Sequence, residues 1–272
     1  MARTLAGKRP PPTVHPPVGR CIYCGSEGSR SEPLGAEHIV PLGLGGDWIL
    51  PRASCKACAT ITGEIERYCQ REMYGTVRVR MQLPTRRPGG HPTMLPLDII
   101  RPDGRRERRL VPSGKAPMAV LGFRFPPPGL LRGVPPAVNF EGELIAKPVD
   151  DEAWRNRPEM ERFKIGQINM LTFARMLAQI AHAYMVATAG LGSFRPFLPD
   201  LILGRSTTAP YWVGGDPHPP ALDTATALHH VYRQDCLRAG RQYFLVAVHL
   251  FSVASMPRYP VVVGEPHGWI RA

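Results

Sequence analysis

Acidic side chains are scarce: 22 Asp and Glu stand against 34 Lys and Arg in 272 residues, a formal net charge of +12. That imbalance points to a polyanionic partner. Long apolar runs are missing too. Arg175, Gln179 and His182 interrupt the best helical run and His249 the best strand-like one. No stretch therefore reaches the ~18 residues of a bilayer crossing, and the expectation is a soluble protein with no membrane partner. The first twenty residues, MARTLAGKRPPPTVHPPVGR, lack the continuous apolar segment of a secretion signal, which predicts a cytoplasmic location. There, six cysteines are expected as reduced ligands or core residues, not disulfides. Internal repeats are absent as well. The 31 prolines and 27 glycines stay below low-complexity levels, and 43% hydrophobic residues suffice for a core in one large or two modest domains.

The positive charge is localised. Residues 1–20 carry +4 and residues 76–115 carry +7, on either side of a segment, 21–75, that is −2. Val77-Arg-Val-Arg-Met-Gln-Leu83 alternates apolar and polar positions, the period of a half-buried strand. Arg78 and Arg80 are then expected on one exposed face, where a phosphate backbone could lie.

The acidic segment holds the chemistry. Cys21-Ile-Tyr-Cys24 and Cys55-Lys-Ala-Cys58 are two C-x2-C pairs with 30 residues between them. Each pair can present two thiolates to one metal, and together they supply the four soft ligands of a tetrahedral zinc ion. Cys69 and Cys236 fit no such pattern and are expected as ordinary buried thiols. Between the pairs runs Ala36-Glu-His-Ile-Val-Pro-Leu-Gly-Leu-Gly-Gly46, read as a short strand and a glycine-rich turn. Ser54 is then a candidate cap for a helix from about Lys56 to Tyr74, stopping at Gly75. The order of knuckle, strand, turn, knuckle and helix predicts a ββα unit pinned by zinc.

Cys21-x2-Cys24, Glu37-His38-Ile39-x-Pro41, Gly45-Gly46 and Cys55-x2-Cys58 occur in an order and spacing that resembles the HNH (ββα-metal) endonucleases, in the subgroup with two C-x2-C pairs. The resemblance covers about 55 residues. It implies DNA as partner, structural zinc on the four cysteines, catalytic magnesium or manganese, Glu37 as metal ligand, His38 as general base, and 5′-phosphate and 3′-hydroxyl products. A neutral imidazole near its reference pKa of ~6.5 suits deprotonation of water at neutral pH. Adjacent strand residues face opposite ways, so Glu37 and His38 require a local distortion to share a metal.

Two positions depart from the family's pattern. Leu50-Pro51 occupies a loop that often holds asparagine, and Ala59 stands where asparagine or histidine usually supplies the second metal ligand. A replacement has to come from the same helical face, at Thr62, Gly63 or Glu66. Glu66 is the hard carboxylate among them and is assigned with Glu37 to the catalytic cation, with Thr62 a weaker contact. Arg78, Arg80, Arg86 and Arg87 are assigned to DNA phosphates. The competing reading is a zinc-stabilised nucleic-acid-binding module with a degenerate site.

The fold class expected is α+β: a basic tail (1–20), the zinc-pinned unit (21–75), then a basic strand and an α+β C-terminal domain (76–272). In that domain strands are expected at Met118–Phe125 and Val138–Lys147 and a helix from Asp150 to Ala189. Antiparallel strands are expected at Leu228–Arg233, Gln242–Phe251 and Tyr259–Gly264, with His229, His230 and His249 as strand or core residues. No metal, nucleotide or nucleophile motif appears in this half.

Overall fold

The computed structural model describes residues 11–86, 89–101, 103–149, 162–163, 168–216 and 227–267. The first sheet is built around the glycine-rich turn. Strand β2 (Gly35–His38) runs antiparallel to β3 (Trp48–Ser54), and β1 (Thr13–Val14) adds to the other edge of β3 in parallel. The turn is a short 3-10 segment, Leu42–Leu44, closed by Gly45 at φ 95°. Such a conformation strains any side chain with a Cβ. Gly46 has a different reason: a Cβ there would lie 1.9 Å from the carbonyl oxygen of Val40.

Helix α1 (Lys56–Tyr68) follows at once, with Cys55 as its N-cap and no side-chain cap bond. Ser54, the expected cap, is the last residue of β3. Cys58, Thr62 and Ile65 form the buried stripe of α1 at helical spacing. The expected helix to Tyr74 is divided: a π-helical turn, Cys69–Met73, interrupts it, and α2 (Gly75–Arg80) resumes. Gly75 thus begins a helix instead of ending one. The strand expected at Val77–Leu83 is this α2 and the turn after it. Val77 and Val79 are both buried because α2 is packed from more than one side, against the strand Ala119–Arg124 and the Ser113–Lys115 turn, so alternate burial arises without a sheet.

The C-terminal half is α+β, as expected. A hairpin of β4 (Met94–Ile100) and β5 (Arg106–Pro112) pairs with β8 (Arg162–Phe163), and β6 (Ala119–Arg124) pairs with β7 (Glu143–Pro148). The short helix α3 (Gly129–Arg132) follows β6. The long helix α4 (Met170–Ala189) starts later than expected, capped by the Asn169 side chain on the Thr172 amide. Arg162 and Phe163 are strand, not helix, and the rest of 150–167 lies outside the described residues. After α4 come β9 (Phe194–Pro196), α5 (Pro199–Ile202) and α6 (Ala209–Trp212). The expected antiparallel meander is present as β10 (His229–Arg238), β11 (Arg241–Leu250) and β12 (Tyr259–Pro266), with β9 added at its end.

Helix α4 is buried almost all round, the mark of a core helix. It packs on β11 and β12 on one side and on α1 on another. One buried cluster consequently joins Cys21, Leu50, Ile65 and Tyr74 with Phe173, Leu177, Phe244 and Val261. Tyr68 at the end of α1 accepts a hydrogen bond from the Asn169 amide at 2.9 Å, tying the two helices end to end. Among the described residues, no helix is long and apolar enough to cross a membrane.

Candidate metal centre

The two C-x2-C pairs converge. One Sγ from each of Cys21, Cys24, Cys55 and Cys58 lies within 4.8 Å of the others, and Cys24 and Cys55 are 3.6 Å apart. Thiolates at ~2.3 Å from a tetrahedral ion stand roughly 3.8 Å from one another, so the group fits zinc. The local fold explains the convergence. The first pair sits in a turn closed by the Gly25 amide on the Cys21 carbonyl, and the Ile22 amide donates to Ala53 at the end of β3. The second pair caps and opens α1. Burial and the neighbouring thiols push the Cys58 thiol up, and burial pushes up Cys24. At Cys55 burial acts upward too, but the Cys58 amide and the other thiols outweigh it and lower the group.

Glu37, which is buried, lies within electrostatic reach of Cys21 and of Glu66, which is half-buried. Glu37 is 6% exposed, and its Oε1 has no hydrogen-bond partner among the described residues. Burial pushes its carboxyl up to about 7; the Ser54 hydroxyl acts against this, and the charges of Glu66 and Cys21 add to it. Glu66, on α1, is raised by burial and held down by a hydrogen bond from Gln179 and by the charge of Arg86. A buried carboxylate with an orphaned oxygen, in the field of a half-buried one, has the hard-oxygen chemistry of a divalent cation site. Thr62 is buried on the same helix, but its hydroxyl donates to the Ala59 carbonyl at 3.4 Å.

His38 is brought beside Glu37 in sequence but not onto its side of the strand. Glu37 pairs with Leu50 and His38 with Ile49 in consecutive register, and the irregularity in the ladder falls earlier, between Gly35 and Glu37. Glu37 accordingly faces inward and His38 is half-buried. The expected distortion between them is not there: β2 ends at His38 instead.

The arginines divide. Arg78 does not project from a strand; its Nε donates to the Gly43 carbonyl at 2.7 Å and its Nη2 to Pro84 at 3.3 Å, stapling the glycine-rich turn to α2. Arg80 is half-buried in the last turn of α2. Arg86 is exposed, within electrostatic reach of Glu66, and Arg87 lies outside the described residues. Cys69 is fully buried as expected, while Cys236 is only partly so.

Two contributors come from α4, a helix expected only as core. Gln179, 1% exposed, donates from Nε2 to Glu66 Oε1 at 2.7 Å. His182, fully buried, donates from Nε2 to the Ile22 carbonyl inside the first knuckle at 2.7 Å, and its ring lies against Tyr23. Their signal in the sequence was the interruption itself: polar residues inside an apolar helix must find partners when buried. No family model, curated protein or solved structure matches this chain.

Proposed function

We propose that the protein is a metal-dependent endonuclease of the HNH type that hydrolyses DNA phosphodiester bonds. The observation that carries this reading is the buried Glu37 carboxylate, with one oxygen orphaned, in the field of Glu66 and of Cys21, one of the four clustered thiols. Zinc on the cysteines would fix the hairpin to α1 as a scaffold. Glu37 and Glu66 would hold magnesium or manganese, which when bound supplies Lewis-acid stabilisation of the departing oxygen. His38, at the end of β2 and partly open to water, is the residue suited to take a proton from the attacking water. The water oxygen would bond to phosphorus as the bond to the 3′ oxygen breaks, the leaving 3′ oxygen taking a proton from solvent; the 5′-phosphate is what the resemblance to the family implies. Arg86, exposed and near Glu66, is the side chain best set to receive a backbone phosphate. Arg78 is not part of this proposal, because its guanidinium is engaged by Gly43 and Pro84.

Incubation of the purified protein with plasmid and magnesium or manganese tests the reading. Nicking by the wild type and a loss of about 10²- to 10⁴-fold in His38→Ala are expected. Equal nicking by both proteins sinks the mechanism.

The unbroken register at Glu37 and His38 favours a second reading, a zinc-stabilised DNA-binding module without cleavage. That module predicts steeply salt-dependent DNA binding and no nicking in any divalent metal. Its simplest form leaves Glu66 turned to solvent, whereas Glu66 is turned in and accepts from Gln179.

A further inference from the structure

We propose that Gln179 of α4 is a positioning residue for the divalent cation site, fixing the Glu66 carboxylate so that its second oxygen is left for the metal; this rests on the endonuclease reading above. Gln179 lies far outside the hairpin and helix that carry the cysteines and acids. Its amide nevertheless reaches Glu66 at 2.7 Å from a position 1% exposed.

The choice of side chain is informative. An arginine or lysine here would neutralise Glu66 and compete with a cation, and an apolar residue would leave the carboxylate free to rotate. An amide donates one hydrogen bond without a charge, so Glu66 keeps its negative charge and loses its freedom. The amide's own Oε1 has no partner among the described residues, and neither does Glu37 Oε1 or the Tyr23 hydroxyl. Tyr23 feels the charges of both Glu37 and Glu66, which places these orphaned oxygens in one buried neighbourhood. Buried oxygens without donors are what a cation and its bound waters satisfy.

The helix that delivers Gln179 is itself held in register. His182, one turn further on the same face, bonds Ile22 between the first two cysteines. Arg175, one turn earlier, donates to the Ile202 carbonyl through Nε and Nη2. The amide is therefore located relative to the zinc knuckle by one rigid helix face. Outer contacts of this kind typically change metal affinity by about 10- to 100-fold when removed.

The test uses the full-length, zinc-loaded protein and manganese itself as probe, with free Mn²⁺ followed by electron paramagnetic resonance and zinc by elemental analysis. Gln179→Met keeps the length and removes the donor; Gln179→Asn keeps the amide but is one carbon too short to reach Glu66. The wild type is expected to bind one Mn²⁺, and both variants to bind it about 10- to 100-fold more weakly while retaining one zinc per chain. In a Glu66→Gln background, Gln179→Met is expected to cause no additional loss. Unchanged Mn²⁺ affinity in a variant that retains zinc overturns the positioning role alone. So does loss of zinc together with Mn²⁺ in both variants, which would assign Gln179 to the fold. Absence of Mn²⁺ binding by the wild type overturns the divalent site and this proposal with it.

Discussion

Gln179 and Glu66 are 113 positions apart in the chain and 2.7 Å apart in space, the amide of one helix donating to the carboxylate of another. The relationship makes the C-terminal half a neighbour of the acidic centre as well as its support. Arg175, Gln179 and His182 follow one another at steps of four and three along α4, and each makes a bond to a segment distant in sequence. A buried polar group has to be satisfied or it destabilises the fold, so these three side chains fix how α4 sits.

Glu37 is kept at a cost when no cation is bound. Its carboxyl is raised from 4.5 to about 7, so the folded state prefers the protonated form. The corresponding stability is present below pH 4.5 and is lost as pH rises through about 7. Glu37→Gln, which cannot ionise, is expected to leave stability nearly unchanged at pH 4.5 and to raise it by about 3 kcal/mol at pH 8 without added divalent metal. Urea unfolding at the two pH values measures the difference. An equal effect at both would show that the burial of charge at Glu37 is not what the substitution relieves.

Cys58 is both a thiol of the cluster and a buried residue of α1. Cys58→Ser is expected to lower zinc from one per chain to near none and to depress the melting temperature, because metal-binding free energy is folding free energy here. Cys236→Ser, on the partly exposed face of β10, is expected to leave zinc unchanged. Elemental analysis beside a melting curve for each variant decides it, and retention of zinc by Cys58→Ser would remove that thiol from the site.

The sequence was most legible where a pattern has one structural solution. Two C-x2-C pairs can meet only if the chain between them folds back, and β2 and β3 do so. Strands β11 and β12 were legible because each carries its own apolar run between turn signals. Val77 to Leu83 misled because two-residue alternation over so short a span also arises in a helix gripped from several sides. The contacts of Gln179 and His182 were hidden for a different reason: which partner a buried polar residue finds depends on helix packing across more than a hundred residues. Their presence in an apolar helix announced that partners exist, not which.

Two glycines between residues 21 and 75 should respond to alanine in opposite ways. At Gly46 the new Cβ would meet the Val40 carbonyl oxygen at 1.9 Å, a backbone atom that cannot move without opening the turn. Gly46→Ala is expected to destabilise by about 3 kcal/mol or more. At Gly63, inside α1, nothing lies within 4 Å of an added Cβ. Gly63→Ala is expected to stabilise by about 0.5–1 kcal/mol through helix propensity and a less free unfolded chain. Denaturant midpoints of the two variants test this, and destabilisation at both would mean that Gly63 is constrained by something other than space.

His229 joins the meander to the glycine-rich turn and should make the fold acid-sensitive. Its Nε2 lies 2.7 Å from the Leu44 carbonyl, and its Nδ1 accepts from the Phe251 amide at 3.1 Å. The carbonyl can only accept and the amide can only donate, so the ring must carry its proton on Nε2 and none on Nδ1. A second proton would confront the Phe251 amide, at a residue already held at φ 50°. Burial lowers the group from 6.5 to about 4, and the neighbouring His230 and His249 act in the same direction. The stability from neutral His229 is therefore complete above pH 6.5 and is lost as pH falls from 6.5 through about 4, a total of about 3 kcal/mol. His182, also lowered to about 4 by burial, acts with the same sign. Unfolding free energies between pH 4.5 and 6.5 are expected to rise with pH more steeply in the wild type than in His229→Gln. The difference in slope should reach about 1.4 kcal/mol per pH unit. Parallel pH profiles for the two proteins would show that His229 is not held neutral by this pair of bonds.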